Sequence, residues 1–258
     1  MSHITLSIDD AVASLFVGGP PRTRIDNEMV DQLSIAIDEI DASEARVLLM
    51  RAEGADFCFG GDIATRADLE VSELRALSER YASVFNQLER LPIPVIAAVQ
   101  GHCFAGGFEL ALRADIILAG STARFGPPEQ SLGVVTLLGG ICRVAERAGR
   151  AFAADWVLTS QQVPAAIMER HGVISRVIDD HKLIAEATAF ANKIAAGPTR
   201  LYAAHKALLR AWAIGGVAAT DRVMFDIAFP SFGTNVAKTG LSSTVNSPKA
   251  TLPPPEGR

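Results

Sequence analysis

The stretch GHCFAGGFELALRAD at 101–115 sets Gly101, Ala105, Gly106 and Gly107 ahead of Glu109, where an apolar run ends and a helical pattern begins. Small residues there leave backbone N–H groups uncovered, and the start of a helix adds its partial positive charge to them. Such donors suit an anion, or an oxygen that becomes anionic while a bond is made or broken. A second stretch of this kind, GADFCFGGDI at 54–63, bares the amides of Gly60 and Gly61 just before Asp62. If the two loops converge, they aim a pair of fixed dipoles at one oxygen and stabilise an enolate or a tetrahedral oxyanion without reorganising. A companion carboxylate for Glu109 lies twenty residues on: Glu129, in the Pro-bounded segment ARFGPPEQSLGVVTLLGG at 123–140. Two carboxylates beside one reacting carbon can divide acid and base roles, because burial or the neighbour's charge pushes one of them toward protonation.

Each piece alone admits a plainer explanation. The glycines can serve only to pack a helix closely on a strand. Glu109 can be an ordinary favourable charge in a first helical turn, and Glu129 a loop carboxylate paired with Arg124 or Arg143. A dinucleotide fingerprint would need G-x-G-x-x-G and a later acidic residue, and a P-loop would need a lysine that GHCFAGGF lacks. The combination of two bare loops and two carboxylates favours chemistry over packing alone.

The elements that must position these groups follow from periodicity. ITLSIDDAVASLFV at 4–17 alternates about Asp9-Asp10 as a hairpin. Asp26 caps a helix whose stripe is Met29, Val30, Leu33, Ile37 and Ile40. The runs 46–50, 94–99 and 116–119 are strands covered on both faces. Between the first two, Leu74, Leu77, Tyr81, Val84, Phe85, Leu88 and Leu91 mark a long amphipathic helix, and 107–114 a short one. The second half reads as helical, over 143–158, 164–171, 182–196, 199–213 and 217–230, with one possible strand at VISRVI. The order predicts an α/β core with helices over the sheet, and the Pro-rich end NSPKATLPPPEGR predicts a poorly ordered tail.

Composition narrows the partners. A net charge of −5 on 258 residues, with Lys and Arg scattered, offers no field or basic stripe for nucleic acid. Cys58, Cys103 and Cys142 form neither a disulfide framework nor a CxxC pair, which suggests a reducing compartment. No leader-like start and no long uncharged apolar run is present, so a cytoplasmic protein with no membrane partner is expected. His3, His102, His171, His181 and His205 show no metal-ligand spacing, and no metal is expected.

At FCFGGDI, GHCFAGGFELALRAD and FGPPEQSLGVVTLLGG the chain resembles the enoyl-CoA hydratase/isomerase family, the crotonases, in order and at the family's spacing. The resemblance runs from about residue 4 to 240 and includes LTSQQVPAAIMERHGVISRVI and IAAGPTRLYAAHKALLRA. It implies a spiral of strand-strand-helix repeats over 1–195, a C-terminal helical region at 196–245 that forms trimers, often paired into hexamers, and a flexible tail at 246–258. It implies a coenzyme A thioester as substrate, with no separate cofactor.

Carried over by position, the family pattern makes Gly61 and Gly106 the N–H donors to the thioester carbonyl oxygen, and Glu109 and Glu129 the pair that holds a water. One glutamate takes the water's proton as oxygen adds to the β-carbon, and the other protonates the α-carbon. Arg22 and the backbone of Cys58, Gly60, Asp62 and Ile63 would contact coenzyme A. The chain departs from the pattern at TRID (23–26), Ala105, Thr136 and Ser160, and after 233, where the usual acidic pair is missing. Two retained glutamates point to a hydratase of fatty-acid metabolism. The alternatives are a double-bond isomerase, which needs one carboxylate and no held water, another crotonase-type acyl-CoA enzyme, and a non-catalytic acyl-CoA binder.

Overall fold

The computed structural model describes residues 4–18, 22–62, 66, 68–234, 237–239 and 242; Ile63 and the tail at 246–258 lie outside them. Chain order is β1 (Ile4–Asp9), β2 (Val12–Val17), α1 (Asn27–Ala42), β3 (Val47–Arg51), α2 (Val71–Arg90), β4 (Val95–Val99), β5 (His102–Phe104), α3 (Gly106–Ala111) and β6 (Ile116–Gly120). There follow β7 (Arg124–Gly126), a 3-10 turn at Pro128–Leu132, α4 (Gly140–Ala148), α5 (Arg150–Thr159), β8 (Val163–Pro164) and α6 (Ala165–Arg170). The chain then runs through β9 (Arg176–Ile178), α7 (Leu183–Ala195) and α8 (Thr199–Phe232).

A six-stranded sheet in the order β1-β2-β3-β4-β6-β9 forms the frame, with β1 antiparallel to β2 and the other pairs parallel. Successive side chains on a strand point to opposite faces. Leu48, Met50, Val95, Ala97, Val99 and Ile117 accordingly pack with α1, α2 and α3, while Val47, Leu49, Ile96, Ala98 and Leu118 pack with Ala187 and Ala191 of α7. A strand covered twice has no polar face, hence the unbroken apolar runs in the sequence. A smaller sheet, β5-β7-β8, lies beside the frame. Beneath α3, Phe108 meets Phe125 and the edge of Trp156 at centroid distances of 5.1 and 5.6 Å.

Asp26 caps α1 as its sequence suggests, its carboxylate accepting from the Met29 N–H at 2.8 Å. The helix expected over 143–158 is two helices, since Gly149 at φ +83° ends α4 and starts α5 in another direction. The short helix expected over 107–114 closes at Ala111, with Arg113 and Ala114 in 3-10-type turns after it. In α8 the helical path breaks at Gly215 and Gly216, inside the gap between the two helices expected there. The strand expected at VISRVI forms as β9, which extends the main sheet past β6, and β8, which pairs with β7, is a second strand among the later helices. Strands as short as β5, β7 and β8 carry too few residues to show alternation.

Candidate active site

The two glycine loops converge because the chain stitches them together. Cys58 donates its N–H to His102 O at 3.1 Å and accepts from Phe104 N–H at 2.9 Å, so the 57–61 loop lies along β5. On its other side Phe59 N–H donates to Thr23 O, Ile25 N–H to Gly60 O, and Asp62 N–H to Ile25 O, at 2.9–3.0 Å. Glycine is required where the loops touch. A Cβ on Gly107 would stand 2.6 Å from both Cβ and O of Cys58, and one on Gly60, at φ +88°, would stand 2.5 Å from Ala105 Cβ. Ala105 itself sits at φ 50°, ψ −132°, a region that a Cβ disfavours.

As a result the Gly61 and Gly106 amides are neighbours. A Cβ built on Gly106 would lie 3.7 Å from Gly61 N, and one on Gly60 would lie 3.0 Å from Gly106 N. Among the described residues neither N–H has an acceptor within the protein. Two adjacent unspent donors, one of them at the first position of α3, form a cradle for an oxygen that gains negative charge.

Glu109, 3% exposed, lies one turn into α3. Its Oε1 accepts from the N–H groups of Leu138 and Gly140, each at 2.9 Å. A side chain on Gly140 would collide with the Glu109 Cγ at 2.8 Å, so only glycine lets the turn approach. Burial pushes the Glu109 carboxyl above its usual range, opposed by the two amides and by the charges of Arg113 and Arg143.

Glu129 sits in the 3-10 turn after Pro127-Pro128, which ends at Gly133 in the left-handed region. Its Oε2 is buried with no hydrogen-bond partner among the described residues. Burial pushes this carboxyl up to about 7; its own backbone N–H opposes the rise and the Glu109 charge adds to it. The two glutamates are therefore within electrostatic reach of each other. Neither Arg124 nor Arg143 pairs with Glu129: Arg143 is spent on Glu89, at 2.8 and 2.5 Å.

The remaining candidates lie around the first loop. Arg22 is exposed, its guanidinium 5.2 Å from the centre of the Phe59 ring. Cys58 is fully buried, and burial pushes its thiol up to about 12, opposed by the Gly60 N–H and the Arg24 charge. Gly60 is buried and Asp62 half-buried, whereas Ile63 falls outside the described residues. Arg24 escaped the sequence reading: it reaches the carbonyl of Phe59 at 3.3 Å and lies 5.7 Å from that ring. Its signal was the alternation of Arg22 and Arg24, which puts both on the same side of an extended segment. Arg113 escaped as well. This side chain, 2% exposed, donates to Asn86, to Glu89 at 3.1 Å and to the carbonyl of Leu138. His102 belongs to the packing around the loop, its Nδ1 2.6 Å from Asp56 and its ring against Phe59 and Phe104. Among the described residues no group of three or more His, Cys, Asp or Glu side chains is placed to hold a metal ion. Among them, too, no helix is long and apolar enough to cross a membrane.

Similarity to known proteins agrees with this geometry. The model of the enoyl-CoA hydratase/isomerase family matches residues 8–225. The chain is 34% identical over 171 residues to a probable enoyl-CoA hydratase of Mycobacterium leprae, a match spanning 66% of each protein. It is 33% identical over 205 residues to the mitochondrial enoyl-CoA hydratase of Pongo abelii, covering 77% of this chain and 71% of that one. A crystal structure of enoyl-CoA hydratase subunit I from Geobacillus kaustophilus, 26% identical, superposes with a TM-score of 0.91 over 97% of each chain. A family match over most of the length, on a sheet and helix order that superposes throughout, leaves one conclusion: the chain belongs to the enoyl-CoA hydratase/isomerase family and has the crotonase fold.

Proposed function

We propose that the protein is an enoyl-CoA hydratase, adding water across the 2,3 double bond of an enoyl-CoA thioester. The observation that carries this reading is the pair of carboxylates: Glu109 buried and held by two amides, Glu129 raised to about 7 beside it with a buried, unpartnered oxygen. An isomerase moves a proton with one carboxylate, and a second within its electrostatic reach would have no task.

In the proposed reaction the thioester carbonyl oxygen takes the Gly61 and Gly106 N–H groups. Glu109, whose amide donors favour the ionised form, removes a proton from water, and the oxygen forms a bond to the β-carbon. The π electrons of the double bond move toward the carbonyl, making an enolate whose charge the two N–H groups stabilise more strongly than they do the neutral ground state. Glu129, protonated below about pH 7, gives its proton to the α-carbon. Water is consumed whole, and solvent resets the two carboxyls. Coenzyme A enters with the substrate, and no further cofactor is required. Arg22 and Arg24, both over Phe59 at the mouth of the first loop, suit its phosphates.

Mixing the protein with crotonyl-CoA tests the reading, since hydration removes the conjugated absorbance while isomerisation of a 3-enoyl-CoA creates it. Glu109→Gln and Glu129→Gln should each slow hydration by about 10²- to 10⁴-fold. Bleaching that persists in both variants would discard the two-carboxylate mechanism. Acyl-CoA binding without any turnover would indicate a binding protein instead.

A further inference from the structure

We infer that Arg113, Arg143 and Glu89 form a positioning clamp on the 138–140 turn, and that this clamp sets the orientation and basicity of Glu109. The inference rests on the reading of Glu109 as the base. A buried arginine in α/β packing is not explained by stability, because an apolar side chain of similar volume serves the core as well or better. Arg113 is 2% exposed all the same.

The geometry shows where its hydrogen bonds go. Arg113 donates to the carbonyl of Leu138, and Arg143 donates to the carbonyl of Gly139 at 3.2 Å. Glu89, from α2, ties the two guanidiniums together, taking Arg113 at 3.1 Å and Arg143 through both oxygens. The opposite side of the same turn serves Glu109, through the N–H groups of Leu138 and Gly140.

One peptide unit makes the link direct. The C=O of Gly139 and the N–H of Gly140 are two ends of one rigid plane and point in opposite directions. A cation on the carbonyl end therefore fixes the direction of the N–H that Glu109 receives, and polarises it. Core packing anchors the turn at Leu138, while the chain before it and the backbone at Gly139 are less constrained. Val134, Val135 and Leu137 before it are 51%, 72% and 51% exposed, and Gly139 sits in the left-handed region at φ +85°. Without the clamp, the packing of Leu138 remains, but the Gly139–Gly140 peptide loses the hydrogen bond that fixes which way its N–H points.

The charged groups that face Glu109 are Arg113 from its own helix region, Arg143 from α4, and Glu129 from the 3-10 turn. Loss of the clamp removes donors from the anion and raises its affinity for protons. Two variants separate positioning from charge. Arg143→Met removes both the cation and the fork; Arg143→Lys keeps the cation but cannot make the forked pair to Glu89 while reaching Gly139 O. The readout is the titration of the Glu109 carboxyl by carbon-13 NMR, assigned by its absence in Glu109→Gln, together with kcat and KM on crotonyl-CoA.

Positioning predicts that the Glu109 midpoint moves upward in both variants, that the acidic limb of kcat/KM moves up with it, and that kcat falls about tenfold or more while KM stays within about twofold. Charge alone predicts an upward move in Arg143→Met and none in Arg143→Lys, and that result overturns the clamp. A wild-type midpoint in both variants overturns it too. Should Arg143→Met fail to fold, Arg143→Lys decides by itself. If the wild-type protein does not hydrate crotonyl-CoA, the proposed function fails, and the carboxyl titration still decides whether the clamp governs Glu109.

Discussion

In the proposed mechanism Glu129 acts as a neutral carboxyl near neutral pH, and that has consequences in two directions. Its free-enzyme protonation governs the basic limb of kcat/KM, so hydration should decline as pH rises through about 7. A carboxyl raised from 4.5 to about 7 binds its proton more tightly when folded, so its contribution to stability is complete below 4.5 and lost as pH rises through about 7. Glu129→Gln should then unfold at a higher temperature than the wild type in mildly alkaline buffer, with the difference shrinking in acid; a constant difference across that range would contradict the buried-carboxyl reading. Glu109 and Glu129 were legible in the sequence because glycines and prolines bracket them. Arg113 was not, since an arginine one helical turn after a glutamate reads as a solvated charge, and its partner Glu89 is 24 residues away in the chain. For Arg24 the spacing from Arg22 was the signal, but its carbonyl partner on Phe59, 35 residues on, was not legible.

At the scale of elements, the site depends on the 57–61 loop and the start of α3 being nearly in contact. Gly107 permits it. Gly107→Ala would place a methyl 2.6 Å from the Cys58 Cβ and carbonyl oxygen, backbone that cannot swing aside. The variant should lose about 1–3 kcal/mol of stability through overpacking, and should lose hydration by more than the loss of folded protein explains, because the Gly61 and Gly106 amides part. Chemical denaturation beside an active-site titration separates the two effects, and full activity per folded molecule would show that the amides need not be this close. The strands β3, β4 and β6 and the helices around these loops were legible from apolar periodicity, including the gap that the structure fills with the Gly215–Gly216 break, whereas β5 was too short to show. The break at Gly149 was not legible, because helix-forming residues on both sides of a single glycine read as one continuous helix. A change of axis leaves no mark in composition.

Over the whole molecule, large apolar side chains remain exposed in several places among the described residues, and α8 carries the exposed aromatic ones. Phe225, Phe229 and Phe232 are 68%, 62% and 56% exposed and pack on one another, beyond the Gly215–Gly216 break. A contiguous aromatic patch of this kind is what an association surface would need. We expect copies of the chain to close on it as a trimer or paired trimers, and light scattering should return that multiple of the monomer mass. Phe229→Glu should lower it, while an unchanged monomeric mass in the wild type would refute the assembly. The first half of α8 stays with the core, where Lys206 reaches Ile93 O and Asp115 at 2.8 and 2.6 Å. The closed interior has one more result, at sulfur. Burial suppresses the thiolates of Cys58 and Cys103 and leaves Cys142 as the exposed cysteine. Since only a thiolate attacks an electrophile, alkylating agents meet an inert first loop in the native fold. Modification of Cys58 becomes a clock for how often that loop comes away from β5.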